Sequence, residues 1–417
     1  MYGGDEVSGI VLDIGSFTTR AGYAGEDSPK VVIPSLVGVP CNPDAMDLDN
    51  PKYIVGDTLS MRRDYVDVHE IMNGGTYTNL PLVEQLIGHS VEKALMLKPF
   101  EHPFLMAEPN IHSRESRIAL TEMIFEKFNV PALYFVKSAV LSSFASGRST
   151  SLVLDSGARM TFSVPVHDGY VLHKSIVRYE VGGELLTEML QRHLESTELI
   201  KPRYSFKKHI KTYAEAGEQT EVNEFKIEDL SYPNTTPSFH NFAVRDIIRD
   251  IKESNFKVSD SPYSDSSFAN VPTVSYELPD GKVIELGNER FKFPELLFNN
   301  SAPLSNGIVG FSGLHQMVND SITRCEMDIR KELYGNVVIA GGNTLFPGFT
   351  DRLTRRLNDI ASNMKVKLIA SNSSIERRFS SWIGGSILAS LGSFQQMWMS
   401  KQEYSEHGAG IVERKCP

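Results

Sequence analysis

The chain contains 417 residues with a formal net charge of −10 at pH 7; 41% of its residues are hydrophobic and 23% are charged. The length predicts two or three domains or one large bilobed unit, and the ordinary apolar content excludes wholesale disorder. The net negative charge argues against a protein whose main function is to bind the phosphate backbone of nucleic acids, because such binding needs a basic surface.

The first predicted element is a strand that ends in a tight hairpin. Residues 10–13 read IVLD and are followed by Gly15 and Ser16, so apolar and β-branched residues lead directly into turn-forming ones. Residues 152–157 read LVLDSG and repeat the pattern of Val, Leu, Asp and Gly. This self-similarity predicts two copies of one structural unit and therefore two lobes.

Strand and helix patterns alternate along the rest of the chain, which predicts an α/β fold. Ser113 is a predicted helix cap. The predicted helices cover 115–128, 138–147 and 244–253, the predicted strands cover 132–136 and 271–278, and 42–52 and 299–306 are predicted loops.

Residues 199–241 differ from the rest because their charges are segregated. Basic residues come first and glutamates follow, with little apolar periodicity. The pattern predicts a surface insertion that is partly helical or mobile. A solvated face is the favoured interpretation; an anionic contact through the basic cluster at 201–211 is the alternative.

The two strand-Asp-x-Gly hairpins are the most informative pair of motifs. The turn at Gly15 and Ser16 can aim backbone N–H groups at an anion, and Gly157 can do so from the second copy. Asp13 and Asp155 then stand at the strand ends, able to hold a hydrated divalent cation. One such hairpin alone is an ordinary turn, whereas two copies favour phosphate binding.

Two glycine pairs strengthen the phosphate-site prediction: Gly182 and Gly183 at a predicted helix start, and Gly341 and Gly342 after a predicted buried strand. Such junctions let a ligand approach the backbone closely. Asn343 is a candidate helix cap. Neither pair fits the Walker or the dinucleotide-binding pattern, and the histidines form no zinc-protease motif or nucleophilic triad.

The cysteine content and the apolar runs indicate the cellular compartment of the protein. Cys41, Cys325 and Cys416 form neither a disulfide framework nor a zinc pattern, which indicates a reducing compartment. The start MYGGDEVSG lacks the regions of a secretory signal. The apolar stretch at 382–391 is broken by glycine and serine and is too short to span a bilayer, so we expect an intracellular protein without membrane contact.

Long segments of the chain resemble actin. They are DIGSFTTRAGYAGEDSPK at 13–30, LDSGARMTFSVPVHDGY at 154–170, ERRFSSWIGGSILASLGSFQQMWMSKQEY at 376–404 and the final VERKCP. The resemblance covers nearly the whole length. The start MYGGDEV, the segment SDSPY from Ser259 and PTVSYELPDG at 272–281 are similar to nuclear actin-related proteins, in particular the actin-like subunit of BAF (SWI/SNF-type) chromatin-remodelling complexes.

The resemblance implies the α/β fold of the actin and sugar-kinase ATPases. The whole chain (1–417) would form one unit with two lobes, which are built from duplicated βα units and comprise four subdomains. The implied first lobe covers 1–147, and a C-terminal segment from about 380 to 417 packs back on it. The implied second lobe covers 148–379 and contains the insertion 199–241.

The resemblance also implies ATP with Mg²⁺ in the cleft between the lobes, with Asp13 and Asp155 holding the metal through water. Arg20 stands where actin has Lys, and Phe17 and Arg159 replace glycines beside the phosphates. The residues implied around the nucleotide are Gly15, Ser16, Phe17, Arg20, Ser156, Gly157, Gly182, Lys252, Glu253, Gly341, Gly342, Asn343, Leu345, Phe346 and Arg378.

The positions around the attacking water depart most from actin. Where actin has Gln, Asp and His, this chain has Ser138, Ala158 and Phe162. Ala and Phe can neither accept a proton nor orient water, and phosphoryl transfer requires a positioned nucleophile. We therefore expect little or no ATP hydrolysis and no catalytic residue.

Filament contacts are also expected to be impaired. The loop that actin inserts into the next subunit corresponds to a short stretch near 40–55, and the insertion 199–241 lies above the cleft, so we expect no homopolymer. The alternative is a polymerising cytoskeletal ATPase. A sugar kinase needs a catalytic Asp in a sugar pocket, for which the sequence offers no candidate.

The resemblance implies a nuclear protein, with some in the cytoplasm, that serves as a non-catalytic scaffold of chromatin-remodelling and histone-acetyltransferase complexes and so regulates transcription. Its implied partners are nuclear actin, a helical segment of the remodeller ATPase and other subunits of the complex. Histones or nucleosomal DNA would be reached indirectly, through those partners.

Overall fold

The computed structural model describes residues 8–41, 53–61, 64–214, 221–299 and 308–417, with the side chains of these residues except those of 210–214 and 221–225. The loop predicted at 42–52, nearly all of the loop predicted at 299–306 and the start MYGGDEV lie outside the described residues.

The elements alternate between strands and helices along most of the chain. The strands are β1 (Ile10–Ile14), β2 (Thr18–Tyr23), β3 (Val31–Pro34), β4 (Leu36–Pro40), β5 (Ile54–Val55), β6 (Val66–Glu70), β7 (Met72–Asn73), β8 (Thr76–Tyr77), β9 (Phe104–Glu108), β10 (Ala132–Lys137), β11 (Ser151–Ser156), β12 (Thr161–His167), β13 (Tyr170–Val171), β14 (Val177–Tyr179), β15 (Phe206–Ala214), β16 (Glu221–Asp229), β17 (Val274–Glu277), β18 (Val283–Leu286), β19 (Val337–Ala340), β20 (Leu368–Ile369) and β21 (Met399–Ser400). The helices are α1 (Thr58–Met61), α2 (Leu80–Gly88), α3 (Arg114–Met123), α4 (Ser138–Ala145), α5 (Gly183–Glu195), α6 (Pro237–Asn255), α7 (Glu289–Lys292), α8 (Leu314–Thr323), α9 (Met327–Gly335), α10 (Phe349–Ile360), α11 (Ser374–Arg378), α12 (Ser380–Ala389), α13 (Lys401–His407) and α14 (Val412–Lys415).

The first large sheet has six strands in the order β21-β10-β9-β1-β2-β3. β1 pairs antiparallel with β2, which sets Asp13 opposite Arg20, and it pairs parallel with β9. All five residues of β1 are buried, as an uninterrupted apolar strand in the middle of a sheet should be. The predicted strand and hairpin at residues 10–16 are therefore confirmed.

The second large sheet repeats this arrangement. Its strands follow the order β13-β12-β11-β19-β20, with β14 also paired to β12. β11 pairs antiparallel with β12, which sets Asp155 opposite Phe162, and it pairs parallel with β19. The prediction that the two Val-Leu-Asp segments begin copies of one hairpin unit is confirmed.

Each large sheet has its own apolar core. One core combines β1, β9 and β10 with α2, α3 and residues near the C-terminus, and the other combines β11 and β19 with α5, α6, α8 and α10. Because two sheets with helices each bury a separate core, the architecture is the two-lobed α/β fold that the sequence predicts. The residue bounds of the lobes stay a prediction.

The C-terminal helices return to the first core. Trp382 is fully buried, and its indole N–H donates to the carbonyl of Val11 at 3.0 Å. α12 packs closely on α4, because a Cβ at Gly384 would lie only 1.9 Å from the carbonyl oxygen of Leu141. Glycine at this position therefore lets the two helix backbones touch.

Most predicted elements in the described residues are confirmed. The Ser113 hydroxyl accepts from the Ser116 N–H at 3.1 Å and caps α3. The predicted helix at 115–128 is α3 with a π-helical extension to Phe128, and the next strand and helix are β10 and α4. The predicted helix at 244–253 lies within the longer α6, and the predicted strand at 271–278 contains β17.

The segment 199–241 is different from the prediction. Instead of a partly helical or mobile insertion, its middle is a two-stranded antiparallel ribbon of β15 and β16. The separated charges are the reason, since the register sets Lys207 opposite Glu228 and brings opposite charges together across the strands. His209 lies 2.7 Å from Glu228, and Lys201 lies 2.7 Å from Asp229.

Within the described residues, no helix combines the length and apolar character needed to cross a bilayer.

Candidate functional site

A cavity of about 320 Å³ lies between the two repeated hairpins. Its wall includes the first hairpin turn, residues 13–18, and Asp155, Gly157 and Ala158 from the second hairpin. The start of α5, the C-terminal part of α6 and the junction after β19 also contribute. Both copies of the repeated unit therefore face one space.

The first hairpin brings a cation onto one of the two aspartates. Nη1 of Arg20 lies 2.6 Å from Oδ2 of Asp13, and both side chains are largely buried. In the described part of the chain, Nε of Arg20 and Oγ1 of Thr18 are buried without a hydrogen-bond partner, and both residues line the cavity. Unpartnered buried polar atoms of this kind fit a polar or anionic ligand.

The second aspartate has an altered protonation equilibrium. Burial and, to a smaller extent, the charge of nearby Asp13 together raise the pKa of Asp155 to about 6, while the charge of Arg20 opposes the rise. Two adjacent carboxylates repel each other, and a divalent cation relieves that repulsion. Carboxylate oxygens are also the ligands that Mg²⁺ prefers.

The donor set fits a cation held mainly through water. The described residues contain no group of three or more His, Cys, Asp or Glu side chains that could enclose a metal ion. Asp13 and Asp155 provide two carboxylates, and Mg²⁺ usually keeps several waters and is completed by phosphate oxygens. The residues present therefore fit Mg²⁺ bound together with a phosphorylated ligand.

Glycines let the second hairpin turn lie against its neighbours. Gly341 has φ +92°, and a Cβ there would lie 2.3 Å from the Ser156 carbonyl oxygen. A Cβ at Gly182 would lie 2.4 Å from the Ala158 carbonyl oxygen. Gly182 directly precedes α5, which begins at Gly183, so the predicted helix start is confirmed.

Ser156 and Asn343 form a hydrogen bond with each other at the second hairpin turn. Ser156 is fully buried, its Oγ lies 3.0 Å from Oγ1 of Thr161, and it accepts from Nδ2 of Asn343 at 3.1 Å. Asn343 also donates to the Gly157 carbonyl at 2.8 Å. The prediction that Asn343 caps a helix is wrong, because its amide ties the two strand ends together and α10 begins only at Phe349.

A buried ammonium group faces the other end of the cavity. Lys252 on α6 is 4% exposed, and its Nζ donates to the Gly183 carbonyl and to Oγ1 of Thr187, both at 3.0 Å. Burial lowers the pKa of Lys252 to about 8, against the opposing charges of Glu253 and Glu184. The lysine still carries a positive charge at neutral pH, and an anionic or hydroxyl-rich ligand would stabilise that charge.

Glu184 and Arg249 complete this part of the wall. Arg249 donates to Glu184 at 3.0 Å, and Nη1 of Arg245 lies 3.5 Å from the same carboxylate. Burial alone would raise the pKa of Glu184, but the charge and hydrogen bond of Arg249 hold it below its usual value. The ion pair between Arg249 and Glu184 holds both of these side chains beside Lys252.

The cavity wall contains most of the predicted binding residues. Ser156 and Gly182 are the two that do not line it, since both lie behind the turns. Those that do are Asp13, Gly15, Ser16, Phe17, Arg20, Asp155, Gly157, Lys252, Glu253, Gly341, Gly342, Asn343, Leu345, Phe346 and Arg378.

The three positions that depart from actin also line the cavity. Phe162 is 9% exposed and packs in an apolar cluster with Met160 and Val164. A Cβ at Gly75 would lie 3.1 Å from its ring, so the turn after β7 lies directly on the ring. With Ala158 beside it and only the short hydroxyl of Ser138 at the start of α4, these positions provide no group that could take a proton from water.

Sequence reasoning missed several residues of the wall. Glu184, Arg249 and Glu108 line the cavity and come from α5, α6 and β9. The spacing of Arg245, Arg249 and Lys252 by four and three residues puts three cations on one face of α6, which is a detectable pattern. Glu184, the carboxylate that pairs with Arg245 and Arg249, lies on α5 and could not be identified from the sequence of α6.

Comparison with known proteins identifies a family. Residues 4–417 match the family model described as actin. Proteins described as "Actin-related protein 4" from Oryza sativa subsp. indica and Oryza sativa subsp. japonica are each 46% identical over 452 aligned residues, and one of the same description from Arabidopsis thaliana is 44% identical over 450. Each of these alignments covers 100% of this chain and 100% of the relative.

Proposed function

Because this chain belongs to the actin family, we propose that it holds ATP with Mg²⁺ as a structural ligand and serves as a non-hydrolysing scaffold subunit of nuclear chromatin-remodelling and histone-acetyltransferase complexes. The full-length similarity to proteins described as actin-related proteins supports this branch over actin itself.

The cavity between the repeated hairpins carries the nucleotide part of the proposal. Both hairpin turns border the cavity, Arg20 and Thr18 supply unpartnered polar atoms, and Lys252 supplies a buried cation. Asp13 and Asp155 would hold Mg²⁺ through water. When bound, the metal neutralises phosphate charge, while the residues of the chain bind and orient the nucleotide.

The replaced water-orienting positions carry the non-hydrolysing part. Ala158 and Phe162 border the same cavity and present only apolar atoms to it beyond the backbone. An in-line attack needs a water held in place and a group that accepts its proton. A bound ATP would accordingly stay intact and stabilise the folded chain by mass action.

The scaffold part of the proposal places the chain in the nucleus, paired with actin on a helical segment of the remodeller ATPase. Affinity purification of the tagged full-length chain from nuclear extract, followed by mass spectrometry, tests it. We expect actin and remodeller or acetyltransferase subunits at near-equal amounts. Recovery of the chain without any of these subunits would overturn the scaffold role and leave the nucleotide role to be judged separately.

Nucleotide binding is tested by calorimetric titration of nucleotide-free chain with Mg-ATP. We expect saturable binding of one ATP that weakens in Lys252→Met, while the exposed Lys257→Met binds like the wild type. A polymerising cytoskeletal ATPase is the alternative, and it predicts filaments that sediment on addition of Mg-ATP together with phosphate release. Absence of binding at any concentration tested would contradict the proposal.

A further inference from the structure

Two contacts, one beside the cavity and one at its wall, join the two lobes, which are called the first and the second half below. The first is an ion pair between Arg159, in the turn between β11 and β12, and Glu70, at the end of β6. Both side chains are partly exposed. The guanidinium of Arg159 therefore reaches across to the first half, and Arg159 is absent from the cavity wall.

The second contact is a cation–π stack between Phe17 and Arg249. The guanidinium carbon of Arg249 lies 4.4 Å from the centroid of the Phe17 ring, close enough for an attractive interaction. Phe17 belongs to the first hairpin turn and Arg249 to α6 in the second half, and both line the cavity. The bond from Arg249 to Glu184 keeps the guanidinium in this position.

Hydrogen bonds farther from the cavity hold the same two halves together. The N–H of Tyr65 donates to the Asn234 carbonyl at 2.8 Å, and the N–H of Val68 donates to Oγ of Ser238 at 3.1 Å. Ser238 in turn donates to Asp67 at 2.9 Å. The start of α6 is thus fastened to β6, so the halves meet through protein groups alone, without a ligand between them.

We propose that the Arg159–Glu70 pair and the Phe17–Arg249 stack form a latch that keeps the cleft closed and slows the departure of a bound nucleotide. The inference rests on the proposed nucleotide role and adds its regulation. A ligand enclosed between two halves leaves when they separate, and separation must break both latch contacts. The latch therefore makes the nucleotide a long-lived component of the fold.

Release of a bound fluorescent ATP analogue (methylanthraniloyl-ATP) after mixing with excess Mg-ATP tests the latch. We expect Arg159→Gln, Glu70→Gln and Phe17→Leu each to release the probe about two- to fivefold faster than the wild type, the range that partly exposed ion pairs and cation–π contacts support. The double variant of Arg159 and Glu70 should match either single variant, because both remove one interaction.

The dependence of the release rate on ionic strength distinguishes the proposed latch from a general effect of the substitution on the structure. Screening weakens an exposed ion pair, so the wild-type release rate should rise with ionic strength, whereas the rate of Arg159→Gln should change less. Arg178→Gln removes a similar charge from an exposed position of the same half and should release the probe like the wild type. Unchanged release in Arg159→Gln and Glu70→Gln, with the probe bound, would overturn the latch alone.

A measurement on the nucleotide-free chain tests the latch independently of the proposed nucleotide binding. The radius of gyration of the nucleotide-free chain, measured by small-angle X-ray scattering, should be larger for the Phe17→Leu/Arg159→Gln double variant than for the wild type and Arg178→Gln. Equal radii would overturn the latch even in a chain that binds no probe. Failure of the wild type to bind the probe would instead overturn the proposed nucleotide role.

Discussion

Replacing Lys252 with Met should stabilise the nucleotide-free chain while weakening ATP binding. The pKa of the buried ammonium is lowered from 10.5 to about 8. At about 1.36 kcal/mol per pKa unit, keeping this charge buried at pH 7 costs roughly 3 kcal/mol. Met has a similar length and carries no charge that must be desolvated.

The two hydrogen bonds that Lys252 donates offset only part of this gain, because their acceptors bond to each other in the variant. The Gly183 carbonyl also accepts from Oγ1 of Thr187 at 2.9 Å, so both groups keep a partner in the variant. The nucleotide-free Lys252→Met chain should therefore unfold with a free energy about 3 kcal/mol above that of the wild type, less what the lost charged hydrogen bonds contribute.

The burial of Lys252 also makes the free energy of unfolding depend on pH. The unfolded chain keeps the lysine proton up to about pH 10.5, whereas the folded chain loses it near pH 8. Wild-type stability should accordingly rise between these pH values, and the advantage of Lys252→Met should shrink over the same interval. The cost is present in full only below about pH 8.

Urea unfolding at pH 7 and at about pH 10, with and without excess Mg-ATP, measures these effects. The exposed Lys257→Met serves as the matched control and should change neither stability nor the stabilisation by ATP. A nucleotide-free Lys252→Met chain that is less stable than the wild type at pH 7 would refute the reasoning about burial. Equal stabilisation of both chains by ATP would refute the role of Lys252 in binding.

Gly384→Ala should lower the free energy of unfolding by about 3 kcal/mol, measured in urea, because its Cβ would lie 1.9 Å from the Leu141 carbonyl oxygen and push α12 off α4. Because protons compete for a carboxylate with a pKa of about 6, the affinity for Mg-ATP should fall about tenfold more between pH 7 and pH 5 in the wild type than in Asp155→Asn. Glu403→Gln should cost about 1 kcal/mol in urea unfolding, because Glu403 completes the capping box of α13 and pairs with Lys415; no loss would show that the cap is dispensable.

Structural features that depend on residues adjacent in the sequence were predictable. The repeated Val-Leu-Asp segments identified β1 and β11, because buried central strands are continuous apolar runs and their turns need Gly. The glycine pair at residues 182–183 identified the start of α5 for the same reason: the turn after Ala158 leaves no space for a side chain at Gly182.

Features that depend on pairing between distant segments were not predictable. The ribbon of β15 and β16 looked like a charged insertion because its opposite charges meet only across the strands. Ser156 carries a hydroxyl group suited to binding phosphate, but that hydroxyl accepts from the amide of Asn343, which follows β19 much later in the chain. The contact of Arg159 with Glu70 joins segments whose sequences give no hint of each other.

The cleft should hold ATP without hydrolysing it. A single-turnover measurement tests this directly: stoichiometric ATP and Mg²⁺ are incubated with the purified full-length chain, and the nucleotide is identified by chromatography over time, with actin in parallel. We expect the chain to return intact ATP long after actin has converted its own to ADP, because Ala158 and Phe162 line the cavity without a polar side-chain group that could orient water. Formation of ADP and phosphate at a rate similar to that of actin would contradict it.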